Sequence, residues 1–182
     1  MRLFIAIQLN DEIRTALSAL QDDLRRRGVR GNFTPADNLH LTLAFIGDYP
    51  DPDDVLDAMD AVSFSPISLG LDGIGSFGDL WWVGLSKSGR LDALVRSLRH
   101  ALADAGIPFD RKRFSPHVTL IRRASCGGKD KFPSVSIPSA GMTADRVSLM
   151  RSDRGKSGMI YTELGCIRAR RADSEESRGE EP

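Results

Sequence analysis

Two four-residue runs, His40-Leu41-Thr42-Leu43 and His117-Val118-Thr119-Leu120, place a threonine two positions after a histidine. They use two of the three histidines in a chain of 182 residues. Successive side chains of an extended strand point to opposite faces, so each His and Thr share one face while Leu41/Leu43 and Val118/Leu120 share the other. Each strand would present one titratable ring and one hydroxyl above an apolar underside. A lone histidine of this kind is more often a hydrogen-bonded structural residue. The repeated frame instead suggests two imidazoles facing each other across a cleft, one taking a proton while the other gives one.

Three chemistries use such a pair. A metal site wants a third ligand, and neither strand carries a Cys, Asp or Glu in register, while His100 belongs to another element. A Ser-His-Asp hydrolase needs a nucleophile elbow of the G-x-S-x-G type, which is absent. Acid–base catalysis without a metal or organic cofactor remains, and phosphodiester cleavage suits it. One imidazole activates water, the other protonates the leaving oxygen, and threonine hydroxyls donate to the non-bridging oxygens as charge builds.

Hydrophobic periodicity indicates the elements that must hold these strands. Arg2 to Leu9 reads as a strand. A helix follows, capped by Asn10 or Asp11, with Ile13, Leu17, Leu20 and Leu24 on one stripe before Gly28. The first histidine strand spans Leu39 to Ile46, and Asp51-Pro52-Asp53-Asp54 opens a short helix to about Val62. Strands are expected at Ile67 to Leu71 and Leu80 to Leu85, then a helix from Leu91 through Leu94, Val95, Leu98 and Leu102 to Gly106. Further strands are expected at Phe132 to Ile137, Arg146 to Arg151 and Met159 to Ile167. The order strand, helix, His-x-Thr strand thus occurs twice, a weak internal duplication.

Several other signals carry no chemistry. Gly73-Ile74-Gly75-Ser76-Phe77-Gly78 matches a dinucleotide-binding pattern, but a strand follows where a helix N-terminus is needed, so it reads as a glycine-rich connection. Asn32-Phe33-Thr34 is a formal glycosylation sequon without a secretory signal, and His100 falls off the apolar stripe of its helix. Of Trp81 and Trp82, one belongs in the core and the other at a lobe contact or the cleft. Cys126 and Cys166 are isolated and indicate neither a disulfide framework nor a zinc site.

The bulk numbers fit one well-buried domain, or two small lobes sharing a core. Lys and Arg number 25, as do Asp and Glu, so no global field captures nucleic acid and an anionic ligand must be held locally. No apolar run approaches a membrane span, and the N-terminus reads as mature and cytoplasmic. From about residue 169 the composition turns to Arg, Asp, Glu and Ser, so 169–182 is expected to be a disordered charged tail.

From Arg2 to about Ile167 the chain resembles the two-histidine (2H) phosphoesterase superfamily, and most closely its bacterial and archaeal RNA 2′,3′-cyclic phosphodiesterases, the LigT-like or 2′-5′ RNA ligase family. The resemblance rests on Asn38 to Gly47 and Phe114 to Leu120, supported by the opening Arg2-Leu3-Phe4-Ile5-Ala6-Ile7 and by Ser152 to Tyr161. It implies an α+β, bilobal, pseudo-duplicated fold over residues 1–168, two antiparallel sheets with flanking helices meeting at a central cleft. It implies His40 as proton donor, His117 as proton acceptor, and Thr42 and Thr119 on the phosphate. It also suggests Arg122 there, although strand parity turns Arg122 away from the cleft unless the strand bulges near Ile121. Phe45 has the same parity problem and is assigned to the core. The implied substrate is RNA with a 2′,3′-cyclic phosphate end or a small cyclic nucleotide, opened to a 2′-phosphate, with no membrane and no obligate protein partner. The alternatives are 2′-5′ RNA joining, hydrolysis of another small cyclic phosphate, and RNA-end binding without turnover.

Overall fold

Alternating apolar strands build two antiparallel sheets flanked by three capped helices in the computed structural model, which describes residues 1–127 and 132–171. In chain order the elements are β1 (Arg2–Gln8), α1 (Asp11–Arg26), β2 (Val29–Phe33), a 3-10 turn (Ala36–Asn38), β3 (His40–Asp48), α2 (Pro52–Asp60), β4 (Ile67–Phe77), β5 (Leu80–Leu85), α3 (Gly89–Asp104), β6 (His117–Cys126), β7 (Gly141–Ala144), β8 (Arg146–Gly155) and β9 (Gly158–Arg168). One sheet runs β3-β1-β8-β9 and the other β2-β6-β5-β4-β7. The two histidine strands lie in different sheets.

The duplication is visible in the pairing. Both β1-α1-β3 and β5-α3-β6 join a strand through a helix to a histidine strand that pairs antiparallel with it, Gln8 opposite His40 and Gly84 opposite His117. Each helix starts at a side-chain cap, Asn10 accepting from the Ile13 N–H at 2.9 Å and Ser88 from the Leu91 N–H at 3.3 Å. Their apolar stripes, Ile13, Leu17, Leu20 and Leu24 on α1 and Leu91, Leu94, Val95, Leu98 and Leu102 on α3, are buried. Together with Leu41, Leu43, Val118 and Leu120 they form one continuous core under both sheets. The expected α+β fold with two antiparallel sheets is therefore the observed one.

Some expectations fail for local reasons. Phe132 to Ile137 is not a strand: Phe132, Val135 and Ile137 pack against the core, Phe132 stacking on Trp81 at 4.4 Å, but Pro133 and Pro138 remove the donors a ladder needs. β2 and β7 are short strands with little alternation. The glycine run is no connection, because β4 extends through Phe77. Gly75 sits opposite Trp82, and a Cβ there would collide with the indole, so the missing side chain is what lets the ring lie across the strand. Trp81 is the core tryptophan, fully buried.

Beyond Arg168 the chain stays attached for two residues, the Ala169 N–H donating to the Asp145 carbonyl and the Arg170 N–H to that of Phe64, both at 2.8 Å. Most of the charged tail, 172–182, lies outside the described residues. No helix among the described residues is long and apolar enough to cross a membrane.

Candidate active site

Both histidines open their strands and turn away from the core, as the alternation requires. Each ring is fixed by the carbonyl two residues upstream: His40 Nδ1 lies 2.7 Å from the Asn38 oxygen and His117 Nδ1 lies 2.6 Å from that of Ser115. A carbonyl only accepts, so Nδ1 carries the proton in both rings, and Nε2 holds the lone pair when the ring is neutral. His40 Nε2 is 3.0 Å from Thr42 Oγ1. The neutral ring accepts from that hydroxyl, and the protonated ring donates to it.

Four residues of each motif keep strict alternation, and then both strands bulge at the same place. In β3, Thr42 pairs with Ala6 and Ala44 with Ile5, leaving Leu43 without a partner. In β6, Thr119 pairs with Trp82 and Ile121 with Trp81, leaving Leu120 without one. Leu43 and Ala44, like Leu120 and Ile121, are consecutive buried residues, so the faces beyond them exchange. Arg122 thereby returns to the cleft, which answers the parity objection. Phe45 returns as well, 36% exposed and lining the cleft, so the core position expected for it is corrected by the same bulge.

The second bulge is clamped from below. Gln21 of α1, buried at 4% exposure, donates to the Leu120 carbonyl at 3.1 Å and to the Thr34 carbonyl at 2.8 Å. The Thr34 N–H also donates to the Leu120 carbonyl, at 2.8 Å. Just beyond, Arg123 takes a left-handed φ of 53°, a conformation that costs on the order of 1–3 kcal/mol. Gly31 makes room for the bend, since a Cβ at that residue would meet the Arg122 and Arg123 carbonyls at 2.9 Å.

The resulting cleft has a volume of ≈ 1200 Å³ and gathers His40, Thr42, His117, Thr119 and Arg122, all five expected site residues. Burial lowers the pKa of His40 from 6.5; the Asn38 hydrogen bond opposes this, and the charges of Arg122 and His117 add to it. β3 and β6 thus line one cleft together, Arg122 of β6 bearing on His40 of β3. The converse contact exists too, with the N–H of Asp110, in the segment leading to His117, donating to the Phe45 carbonyl at 2.8 Å.

Aromatic rings frame each imidazole. Phe4 and Tyr161 pack around His40 at 4.9 and 5.2 Å between centroids, and Phe77 and Trp82 around His117 at 5.2 and 5.8 Å. Tyr161 reaches His40 because the β8-β9 hairpin curls over the sheet, where Asn38 Nδ2 donates to the Met159 carbonyl at 2.8 Å. Opposite His40, Gln8 donates to Glu163 at 2.6 Å and to Ser148 at 3.2 Å, and Arg146 pairs with the same Glu163. Sequence reasoning offers the cleft as one place for Trp82 and misses the other neighbours, whose positions depend on pairing between distant strands. His100 stays outside, exposed and 3.3 Å from Asp104 on α3. Among the described residues, no group of three His, Cys, Asp or Glu could hold a metal ion.

A two-sheet α+β fold with one His-x-Thr strand per sheet, both turned into a shared cleft, defines the class. The chain belongs to the 2′-5′ RNA ligase superfamily, which it matches over residues 9–156. It is 28% identical over 176 residues to the RNA 2′,3′-cyclic phosphodiesterase of Thermotoga maritima, covering 90% of this chain and 93% of that one. The enzyme of the same description from Geobacillus stearothermophilus is 33% identical over 129 residues, and the match spans 66% of this chain and 41% of that longer protein. The crystal structure of E. coli LigT complexed with 3′-AMP superposes with a TM-score of 0.77 at 27% identity, covering 93% of this chain and 98% of the other.

Proposed function

We propose that this protein is an RNA 2′,3′-cyclic phosphodiesterase that opens a terminal cyclic phosphate with water and leaves a 2′-phosphate. The observation that carries the reading is the pair of imidazoles, each with Nδ1 tied to a backbone carbonyl, sharing one cleft with two threonine hydroxyls and an arginine. Nδ1 being committed, Nε2 is the atom of each ring left for proton transfer.

His117 Nε2 takes a proton from the attacking water, and His40 gives one to the departing 3′ oxygen. Thr42, Thr119 and Arg122 hold the non-bridging oxygens as negative charge accumulates. Each proton transfer supplies a factor of about 10² to 10⁴. In the free protein Thr42 occupies His40 Nε2, and a bound phosphate draws that hydroxyl to one of its own oxygens, releasing Nε2 for the leaving group. The phosphate monoanion also opposes the burial that disfavours imidazolium at His40, so the donor is charged when substrate is present. No step calls for a metal or an organic cofactor.

The names of the relatives and the 3′-AMP in the E. coli neighbour support a nucleotide phosphate in this cleft. The test is incubation of an oligoribonucleotide ending in a 2′,3′-cyclic phosphate with the protein in excess EDTA. A 2′-phosphomonoester is expected. A 3′-phosphate would reverse the assigned leaving group, loss of turnover that zinc or manganese restores would end the metal-free mechanism, and binding without any product would leave an RNA-end-binding protein.

A further inference from the structure

The cleft extends past the reacting centre, and its outer arm carries charge that the chemistry above does not use. Lys87, Arg99, Lys112 and Arg113 line this arm against two carboxylates, Asp92 and Asp110. Over the whole chain basic and acidic residues cancel, so this excess is local. Asp110 is engaged within its own turn, accepting the Lys112 N–H at 3.0 Å and lying 3.6 Å from Lys112 Nζ. Arg99 donates to the Lys112 carbonyl at 2.8 Å and so braces the loop. Among the described residues Lys87 and Arg113 have no salt-bridge partner, and both are exposed. The Leu85 N–H donates to the Pro116 carbonyl at 3.2 Å, which sets the segments carrying Lys87 and Arg113 side by side just before His117. At ≈ 1200 Å³ the cleft also exceeds the roughly 300–1,000 Å³ typical of a site for one small ligand.

We propose that this outer arm binds a second phosphate of the same RNA strand, the phosphodiester adjoining the reacting nucleotide, with Lys87 and Arg113 as its principal contacts. The proposal rests on the cyclic-phosphate reading of the histidine pair and adds chain length to it: the preferred substrate is an oligonucleotide end, and a cyclic mononucleotide fills only the inner part of the cleft. A chain of alternating phosphates matches cations spaced along a groove, whereas one nucleotide leaves the outer cations solvated. Exposed Lys and Arg serve this purpose through counterion release, a contribution that depends on salt and not on base identity.

The experiment compares wild type with the double variant Lys87→Gln/Arg113→Gln, whose surface positions leave the core untouched. Binding of a fluorescent RNA pentamer ending in a 2′-phosphate is measured against salt, alongside competition by the 2′-phosphorylated mononucleotide, and kcat/KM is measured on the matching cyclic-ended pentamer and mononucleotide. Wild type is expected to prefer the pentamer in both assays. In the variant the pentamer-to-mononucleotide ratio is expected to fall about tenfold, the scale of two exposed charge pairs. The salt slope of pentamer binding should shrink by about 0.7 for each phosphate the variant no longer neutralises. Equal affinity for both lengths in wild type, or an unchanged ratio and slope in the variant, overturns the second-phosphate site; hydrolysis of both substrates would then leave the cyclic-phosphate reading intact. Length-dependent binding that the variant loses, with no hydrolysis of either substrate, upholds the site and overturns the assigned reaction.

Discussion

The two histidine strands share a frame and a bulge, yet they differ at the fifth residue after the histidine. β3 places Phe45 there and β6 places Arg122, each returned to the cleft by an unpaired residue two positions earlier. Repetition has supplied the geometry, and divergence has supplied polarity. A guanidinium on one side and an aromatic ring on the other distinguish two imidazoles that the backbone treats alike, and under the proposed function they would set the orientation of the phosphate. The environments diverge as well. His40 is packed by Phe4 and Tyr161 and bonded to its own Thr42, and burial depresses its pKa. No Nε2 hydrogen bond of that kind holds His117 among the described residues.

Replacing either histidine tests whether the two lobes act as a pair. His40→Ala and His117→Ala should each lower kcat on a cyclic-phosphate substrate by about 10² to 10⁴ while leaving the cooperative fold in place, because both rings line the cleft and lie outside the continuous core under the sheets. Retention of full activity in one of them would end the paired mechanism. Thr42→Ala and Thr119→Ala should each cost about 1–3 kcal/mol of transition-state stabilisation, read from kcat/KM. The two are expected to differ: Thr42→Ala also frees the His40 ring, so its pH profile should move, whereas that of Thr119→Ala should only drop in height.

A smaller effect separates the bulges themselves. Gln21→Met removes two hydrogen bonds beneath Leu120 and keeps the volume, so unfolding should become easier by about 1 kcal/mol for each of the two bonds. KM should rise while kcat changes less, since Arg122 loses its aim and the histidines keep theirs. An unaltered KM would show that the bulge holds without its clamp.

What can be read without coordinates follows from period-two and helical patterns. The motifs, the three capped helices and most strands announce themselves through side chains that alternate or recur locally. The bulges do not, because Ala44 and Ile121 are apolar and fit a core face under either parity. Arg122 is legible only as a contradiction between a resemblance and a rule, and the contradiction locates the bulge. Phe45 raises the same contradiction, but an aromatic residue gives no objection to burial, so parity alone sends it to the wrong face. Tyr161, Glu163 and Gln8 depend on pairing between distant strands and on the curl of the β8-β9 hairpin, which no local pattern encodes. The cationic outer arm is divided between two loops and the helix α3, so composition alone averages it to zero.

The smallest expected effect is a shift along the pH axis, and it bears most directly on which histidine donates. Burial, Arg122 and His117 all favour neutral His40 over the Asn38 hydrogen bond that opposes them, so in the free enzyme its proton is lost below the ordinary value of 6.5. If His40 is the donor, kcat/KM needs it protonated in the free enzyme, and the descending limb of that profile should lie on the acid side of 6.5. The limb in kcat reports the bound state. There the phosphate anion stabilises imidazolium, so that limb should lie at higher pH than the one in kcat/KM. Arg122→Gln removes one of the charges that depress His40, and its kcat/KM limb should therefore move toward alkaline pH even as its height falls. Limb position, not height, carries the test, because weaker phosphate binding lowers the whole curve without displacing it. A limb in Arg122→Gln that coincides with wild type would place the donor beyond the reach of Arg122, and the proton would have to come from the other lobe.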